Sequence, residues 1–324
     1  MSSRPKVLLT RRWTAEVEQY LAGRFDVTLN ESDTPMDATA LAAAMRTHDA
    51  LCPTVTDRID RNVLATPERR VRLIGNFGVG FNHVDVDAAR ELGVRVSNTP
   101  DVLTDTTADL AILLMLMASR RAGEGERELR EGRWTGWRPT HLMGQSLAGK
   151  TLGLIGFGRI AQSTARKARL GLDMRIAYHS RRRLPAEVEA EHHAAYFESV
   201  DELVASCDVI SLHCPGGAST HHLINAARLQ RMKNSALLIN TARGPVVDEA
   251  ALVEALSQRR IAGAGLDVYE QEPKVHPGLL GLDNVVLLPH LGSATQETRT
   301  AMGMRVAENL EAFFSGRPLR DPVV

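Results

Sequence analysis

The sequence predicts an α/β protein built from two doubly wound lobes, each containing a parallel sheet. Short apolar runs alternate with amphipathic stretches over the first hundred residues, and the same rhythm restarts at Lys150. That alternation is typical of consecutive βαβ units, which form parallel sheets. The length of 324 residues fits two domains of roughly 150 residues each.

Five short apolar runs predict the strands of the first lobe, at 6–10, 25–29, 50–52, 72–75 and 94–97. Amphipathic stretches such as 37–45 and 87–92 predict helices between them. The stretch 101–120 predicts one long helix that is apolar nearly all round from Leu110 onward. We expect such a helix to be buried between layers or subunits. The polar stretch 123–136 is expected to form surface helix and loop.

The second series predicts six strands, at 152–155, 175–178, 208–213, 236–240, 264–268 and 285–288. Helices are predicted at 199–206, 228–233 and 249–258, and six strands with crossover helices is the doubly wound count. A last helix, about 295–315, has no strand left to pair with, so we expect it to pack back on the first lobe. The predicted domains are 1–100 with 291–324, and an inserted domain at 101–290.

A glycine-rich turn opens the inserted domain. The run GLIGFGRIA at 153–161 is typical of a buried strand, a tight turn and a helix start, and it matches G-x-G-x-x-[GA]. Gly156 allows the turn, Gly158 lets the backbone approach a pyrophosphate at the positive helix end, and Ala161 replaces the third glycine. The pattern predicts a Rossmann-type dinucleotide domain. The cofactor-binding residues predicted in this turn are Gly156, Phe157, Gly158, Arg159 and Ile160.

The ribose end of the predicted site carries arginines where an acidic residue is usual. The second strand of the series ends in HSRRR at 179–183, whereas an NAD site normally has Asp or Glu there to hold the ribose 2′-hydroxyl. A hydroxyl and three guanidinium groups suit a 2′-phosphate, so NADP(H) is the preferred cofactor and NAD(H) a possible one. A solvated loop is the alternative interpretation. The cofactor residues predicted here are His179, Ser180, Arg181 and Arg182.

Three later segments end strands with polar residues, at 239–244, 266–273 and 288–293. Ligands of open α/β sheets bind at the carboxyl edge, where these segments meet. Arg243 can hold a carboxylate bidentately, and His290 beside a glutamate can hold a proton near neutral pH. An acid anchor, a proton donor and hydride from the cofactor are what the reduction of a 2-oxo acid requires. Each residue alone has a structural interpretation, and the combination favours catalysis.

Composition excludes several other classes. Lysine plus arginine equals aspartate plus glutamate at 39 each, so no broad electrostatic attraction to nucleic acid or membrane is expected. Cys52, Cys207 and Cys214 have neither CxxC nor zinc spacing, so we expect reduced thiols and no metal site. The longest apolar run, 110–118, is far shorter than the ~20 residues that span a bilayer. The expected location is therefore the cytoplasm.

Seven motifs in order carry a resemblance to a known family: NFGVG at 76–80, TAD at 107–109, GLIGFGRI at 153–160, HCP at 213–215, NTARG at 240–244, DVYEQEP at 267–273 and PHLGS at 289–293. The chain resembles the D-isomer-specific 2-hydroxyacid dehydrogenases nearly end to end, and most of all their glyoxylate/hydroxypyruvate reductase branch. The resemblance implies a dinucleotide domain inserted in a flavodoxin-like substrate domain.

The resemblance also implies roles for individual residues. His290 would be the proton donor and acceptor, oriented by Glu272 rather than by Glu270, and Arg243 would bind the substrate carboxylate and carbonyl. The remaining substrate residues implied are the N–H groups around Val79 and Gly80, with Ser293, Trp137 and Arg299. The remaining cofactor residues implied are Thr107, Pro215, Thr241, Asp267, His290 and Gly292, of which Asp267, together with Ser293, would face the nicotinamide carboxamide.

The function expected is NADPH-dependent reduction of glyoxylate and hydroxypyruvate, with a small 2-oxo or 2-hydroxy acid as partner and neither nucleic acid nor membrane. Trp137 would reach into the active site of a partner subunit, and a homodimer is expected. One alternative keeps the fold and takes another or a bulkier 2-oxo acid. Formate or phosphite oxidation fits the arginine run less well. A non-enzymatic dinucleotide sensor is the alternative from another class, and it would not need His290.

Overall fold

The computed structural model describes residues 4–324, and these divide into two compact units. Unit 1 comprises the described residues through Leu103 together with Ser293–Val324, and unit 2 is Thr104–Gly292. Each unit contains one parallel sheet surrounded by helices, so the predicted α/β class with two doubly wound lobes is confirmed. Within the described residues, no helix is both long enough and apolar enough to cross a membrane.

The sheet of unit 1 consists of five parallel strands, β1 (Lys6–Leu9), β2 (Asp26–Leu29), β3 (Ala50–Cys52), β4 (Leu73–Gly75) and β5 (Arg95–Ser97). The helices between them are α1 (Ala15–Ala22), α2 (Ala38–Thr47), α3 (Arg61–Leu64) and α4 (Val86–Glu91). Aspartates 37, 60 and 85 cap the starts of α2, α3 and α4 by accepting backbone N–H bonds. The sheet order β2-β1-β3-β4-β5 is the flavodoxin-like order.

Unit 2 opens with α5 (Thr104–Ser119) and α6 (Ala122–Arg130). Its strands are β6 (Thr151–Ile155), β7 (Arg175–His179), β8 (Ala194–Tyr196), β9 (Val209–Leu212), β10 (Leu237–Asn240), β11 (Gly263–Leu266) and β12 (Val285–Leu287). Its other helices are α7 (Arg159–Leu172), α8 (Ala186–His192), α9 (Val200–Ser206), α10 (Ala226–Arg231), α11 (Glu249–Ser257) and α12 (Pro277–Leu280).

The strand order of unit 2 is β12-β11-β10-β9-β6-β7-β8, all parallel. The order reverses between β6 and β9, which is where doubly wound sheets bind their ligands. The sequence predicts six strands here and the structure has seven, because β8 is too short to form an apolar run. Its partner helix α8 was also missed, since the sequence AEVEAEH is mostly polar.

The final helix, α13 (Gln296–Phe314), returns to unit 1 and packs against α1 and β4. The approach is close, since a Cβ on Gly303 would lie 2.7 Å from Val17 and one on Gly75 would lie 2.8 Å from Val306. Small residues at these two positions let the helix settle directly on its neighbours. This placement agrees with the predicted return of the last helix to the first lobe.

Candidate active site

The glycine turn after β6 has the form that a dinucleotide needs. Gly156 has φ +85°, and a Cβ on it would lie 2.8 Å from the His213 carbonyl oxygen and 2.9 Å from Cys214 N. Gly158 has nothing within 4 Å of its Cβ position, and within residues 4–324 no side chain caps the start of α7. The turn therefore leaves an open helix N-terminus, which suits a pyrophosphate.

Phe157 lies in the same turn but points inward. Its ring is 3% exposed and stacks on Tyr178 with centroids 4.4 Å apart. Only the backbone of Phe157 is therefore placed to contact a cofactor. Arg159 is exposed and Ile160 is half-buried at the start of α7, so both lie beside the open helix end.

The loop after β7 presents two exposed cations. Arg181 and Arg182 are exposed, and their guanidinium groups have no partner among the described residues. Ser180 Oγ donates to the Arg182 carbonyl at 2.5 Å, and His179 Nδ1 lies 3.0 Å from the Phe197 carbonyl oxygen. Two unpaired guanidinium groups after β7 are suited to a phosphate ester.

The central feature of the carboxyl edge of unit 2 is a histidine–glutamate pair. His290 Nδ1 lies 2.9 Å from Glu272 Oε2, and the two side chains are 34% and 32% exposed. A carboxylate only accepts, so Nδ1 carries the proton of this bond and Nε2 is the ring nitrogen left to exchange a proton with a ligand. The pair has the geometry of an oriented general acid–base.

Electrostatics keep Glu272 ionised. Burial opposes its charge, but the His290 hydrogen bond and charge, the Tyr269 N–H and the Arg243 charge together outweigh burial and hold the pKa of Glu272 below its ordinary value of 4.5. Since the depressed pKa lies well below neutrality, the carboxylate that holds His290 is present throughout the neutral range.

Asp267, directly after β11, holds the loop that carries His290. Its Oδ1 accepts from Leu291 N at 2.6 Å and its Oδ2 from Gly292 N at 2.9 Å, while its carbonyl accepts from His290 N at 2.9 Å. His290 has φ +56°, a conformation that is unfavourable for a residue with a Cβ. The Asp267 bonds therefore stabilise the strained backbone of the residue that carries the imidazole.

Arg243 sits in a turn that Asn240 shapes. Asn240 Oδ1 accepts from Ala242 N at 3.0 Å and its Nδ2 donates to the Arg243 carbonyl at 3.0 Å. Burial lowers the pKa of the Arg243 guanidinium, and the Glu272 charge partly opposes that shift. The guanidinium still remains cationic, because the ordinary pKa of arginine lies far above neutrality. A half-buried cation near the His290–Glu272 pair is suited to binding a carboxylate.

Gly244 brings this turn against the segment that carries Glu272. A Cβ at Gly244 would overlap the backbone of Tyr269 and Glu270, so the two chain segments meet at their backbones. Only glycine permits this approach, and the approach sets the spacing between the Arg243 turn and Glu272.

Three further residues predicted to line the cofactor are in unit 2. Thr241, directly after β10, has a buried hydroxyl with no partner in the described chain. A buried hydroxyl without a partner at the carboxyl edge is suited to forming a hydrogen bond with a polar ligand. Thr107 Oγ1 donates to the Gly292 carbonyl at 3.1 Å, and Pro215 is exposed after β9.

Glu270, the other glutamate of this segment, pairs with a different histidine. His222 Nε2 lies 2.7 Å from Glu270 Oε1, so Glu270 is engaged with His222 while Glu272 is engaged with His290. His221 stacks on His222 with centroids 3.9 Å apart and planes 25° from parallel. One ring nitrogen of each histidine and a carboxylate oxygen of Glu270 lie within 4.8 Å of one another, close enough for the three side chains to share a metal ion.

In unit 1, the loop after β4 presents two backbone donors. Asn76 Nδ2 donates to the carbonyls of Gly78 and Gly80 at 2.9 and 3.1 Å, and Asn98 Nδ2 donates to the Val79 carbonyl at 2.8 Å. The N–H groups of Val79 and Gly80 have no acceptor within residues 4–324. The side-chain amides thus hold the loop by its carbonyls and leave two adjacent N–H groups to a ligand, as an anion-binding nest does.

The other substrate residues predicted lie at the start of α13 and in unit 2. Arg299 Nε donates to the Ser293 carbonyl at 3.3 Å within unit 1. Trp137 belongs to unit 2 and is 81% exposed. It has no ring partner in the described chain, which leaves its indole free for another molecule.

Comparison with known proteins gives the family. Residues 112–292 match the model of the NAD binding domain of D-isomer specific 2-hydroxyacid dehydrogenases. Glyoxylate reductase from Thermococcus onnurineus is 44% identical over 318 residues, which are 97% of this chain and 94% of that protein. The chain belongs to the D-isomer specific 2-hydroxyacid dehydrogenase family. It is an NAD(P)-dependent dehydrogenase, and its cofactor is a nicotinamide dinucleotide.

Two solved structures show the range of this family. One is the NADPH-dependent glyoxylate/hydroxypyruvate reductase of Sinorhizobium meliloti in complex with NADP and malonate. Its TM-score is 0.87 and its sequence identity 38%, and the match covers 99% of this chain and 97% of the reductase chain. D-mandelate dehydrogenase of Rhodotorula graminis has a TM-score of 0.87 and 30% identity, covering 99% and 98%.

The residues that support the site were not predicted from the sequence. Asn240, Asn76 and Asn98 bind backbone carbonyls and shape the loops, and Asp267 holds the His290 loop in addition to the role implied for it. An asparagine that ends a strand or directly follows one, before a glycine-containing turn, is the signal that could have identified Asn240 and Asn76.

Proposed function

We propose that the enzyme reduces small 2-oxo acids with NADPH, converting glyoxylate to glycolate and hydroxypyruvate to D-glycerate. The His290–Glu272 pair at 2.9 Å carries the proposal, because reduction of a ketone needs a positioned proton donor at the carbonyl oxygen. Support comes from the glyoxylate reductases of Thermococcus onnurineus and Thermococcus litoralis, which are 44% and 42% identical to this chain.

In this proposal His290 gives the proton on Nε2 to the substrate carbonyl oxygen. Glu272, ionised and bonded to Nδ1, stabilises the imidazolium before transfer and fixes the ring. Arg243 binds the substrate carboxylate and polarises the carbonyl. When bound, the nicotinamide cofactor supplies the hydride.

The remaining residues bind or orient. We assign the free N–H groups of Val79 and Gly80 to the substrate carboxylate, with Ser293 and Arg299 as further polar contacts of the substrate. Unit 2 is then the dinucleotide-binding domain. Its ligand contacts come from the open α7 N-terminus, the unpaired Thr241 hydroxyl, Thr107, Pro215 and Gly292, and Asp267 takes the carboxamide.

The preference for NADPH rests on the two unpaired guanidinium groups after β7. Initial rates of cofactor oxidation with glyoxylate, and with hydroxypyruvate as second substrate, are compared for NADPH and NADH. We expect fast turnover with NADPH and little with NADH. Arg181→Ala and Arg182→Ala should raise KM for NADPH by about tenfold each, the equivalent of one lost charge-assisted contact, and leave KM for NADH nearly unchanged.

Equal losses with both cofactors in those variants would contradict the NADPH preference. Arg231→Ala, a change of the same kind in α10, is the matched control and should alter neither KM. Absence of turnover with either cofactor would refute glyoxylate and hydroxypyruvate as substrates.

A second candidate keeps the same chemistry and takes a bulkier 2-oxo acid. The likeness to D-mandelate dehydrogenase over 99% of this chain favours testing an aryl 2-oxo acid. Benzoylformate is the direct probe, and a kcat/KM above that for glyoxylate would establish this candidate in place of the first.

We also propose that the enzyme is a homodimer. Six large apolar side chains of unit 2 are exposed between residues 113 and 143: Leu113, Leu116, Leu129, Trp134, Trp137 and Met143. Apolar surface concentrated in one stretch of chain is typical of an interface. Light scattering after size-exclusion chromatography should give twice the 35.5 kDa chain mass, and a monomer would refute the proposal together with the Trp137 role.

A further inference from the structure

The three arginines after β7 are not equivalent. Arg183 makes a bidentate ion pair with Glu189, with Nε–Oε1 and Nη2–Oε2 distances both 2.8 Å. Its guanidinium also lies 5.3 Å from the centre of the Tyr196 ring. Arg181 and Arg182, by contrast, have no side-chain partner in the described part of the chain. One arginine is therefore tied back to the protein, and two are left for a ligand.

Glu189 connects this loop to the core. Its side chain is 13% exposed and its Oε1 also accepts from the Tyr178 hydroxyl at 2.7 Å. The same hydroxyl accepts from Leu184 N at 3.0 Å. Tyr178 is fully buried and stacks on Phe157 of the glycine turn. We call Tyr178, Arg183, Leu184 and Glu189 the Glu189 clamp.

The clamp fixes the loop 180–184 at its C-terminal end, through Arg183 and Leu184. The near end is fixed by β7, where the His179 carbonyl accepts from Gly156 N at 2.8 Å. Arg181 and Arg182 lie between these two anchors. A loop held at both ends has lost much of its backbone freedom before any ligand arrives, so less is lost on binding.

The charges of the clamp remain in place at ordinary pH. The Arg183 hydrogen bonds, followed by the Tyr178 hydrogen bond, lower the pKa of Glu189 from 4.5 to about 2. For a carboxylate with a lowered pKa, the contribution to stability is present above pH 4.5 and is lost as the pH falls towards 2. Glu189 also neutralises Arg183, so the net positive charge offered by the loop comes from Arg181 and Arg182.

We propose that Glu189 is a positioning residue for cofactor selection: through Arg183 and Tyr178 it holds the loop 180–184 so that Arg181 and Arg182 are arranged for a ribose 2′-phosphate. The proposal rests on the NADPH preference proposed above. It assigns Arg183 to the clamp and not to the phosphate.

The test is direct binding of 2′,5′-ADP, NADPH and NADH, measured by calorimetry without substrate. Glu189→Gln should raise Kd for 2′,5′-ADP and NADPH by about three- to tenfold, as expected when two side chains must be ordered on binding. Kd for NADH should stay within about twofold, and kcat at saturating NADPH should not change. Tyr178→Phe, which keeps the ring stack and removes one bond to Glu189, should act in the same direction with a smaller effect.

Glu187→Gln is the matched control, since it removes one negative charge from the same helix at an exposed position. It should leave all three Kd values unchanged, or lower the Kd values for 2′,5′-ADP and NADPH, the two ligands that carry a 2′-phosphate. Unchanged or tighter NADPH binding in Glu189→Gln would overturn the proposal, and tighter binding would make Arg183 a phosphate ligand that Glu189 restrains. Equal affinity of the unmodified enzyme for NADPH and NADH would instead refute the cofactor preference itself.

Discussion

Substitution by alanine should lower the stability of the protein at Gly156 and the affinity for the cofactor at Gly158. The reason is that Gly156 faces other protein atoms, whereas Gly158 faces open space. A Cβ on Gly156 would lie 2.8 to 2.9 Å from three backbone atoms of residues 213 and 214. Ordinary carbon contacts are about 3.5 to 4.0 Å, so the turn must shift by about 0.7 Å or more. Gly156→Ala therefore combines overpacking of about 1–3 kcal/mol with a left-handed alanine at about 1–2 kcal/mol.

The free energy of unfolding should accordingly fall by about 2–5 kcal/mol in Gly156→Ala without any ligand. Gly158→Ala meets nothing within 4 Å and should cost less than about 1 kcal/mol, the difference between glycine and alanine at a helix N-cap. Its methyl group would occupy the space that a pyrophosphate needs, so Kd for NADPH should rise more than about tenfold.

Urea unfolding of the ligand-free protein gives the first quantity, and calorimetric titration of NADPH gives the second. Gly171→Ala, late in α7 with nothing within 4 Å of the new methyl, is the control. It should raise the free energy of unfolding by up to about 1 kcal/mol, as alanine does in place of a helix glycine, and leave the affinity for NADPH unchanged. Equal unfolding free energies for the Gly156 and Gly158 variants would refute the packing account of the turn. Unchanged NADPH affinity in Gly158→Ala would refute the placement of the pyrophosphate.

Two further predictions concern histidines. His290→Gln should lower kcat by about 10²- to 10⁴-fold, the usual contribution of a general acid. The exposed His221→Gln serves as control, and a loss below tenfold would contradict the proton-donor role. Burial lowers the pKa of His213 from 6.5 to about 4, so the unfolded chain takes up a proton first as the pH falls. Urea unfolding should show the unmodified enzyme losing about 3 kcal/mol more than His213→Gln between pH 6.5 and pH 4, and equal losses would contradict a buried neutral imidazole.

The strands that position the site could be predicted because each has an apolar run, as Leu237–Asn240 does in the middle of its sheet. The edge strand Ala194–Tyr196 could not, since three residues with a single large apolar side chain give no periodic signal. Residue 189 was missed for the same reason, because its helix is short and polar and its role depends on a tertiary contact with Arg183.

Some contacts of the candidate site could be predicted from the sequence and others could not. The resemblance implied Glu272 as the partner of His290, and the 2.9 Å contact is present, while the catalytic and binding roles remain predictions. The bonds that the N–H groups of Leu291 and Gly292 donate to Asp267 could not be predicted, because residues 24 and 25 positions apart in the chain meet only after both strands have formed. Local patterns report on strands and turns, whereas the orientation of a side chain depends on packing between distant segments.

Unit 2 is one uninterrupted stretch of chain, Thr104–Gly292, and its two ends meet where Thr107 donates to the Gly292 carbonyl. A genetic exchange with breakpoints at these two junctions would transfer the whole seven-stranded sheet, with the glycine turn, the arginine loop and the His290–Glu272 pair. Neither sheet would be cut. The residues proposed for cofactor preference, for proton donation and, with Arg243, for the substrate carboxylate would thus be exchanged together, whereas the Val79–Gly80 loop would be exchanged separately.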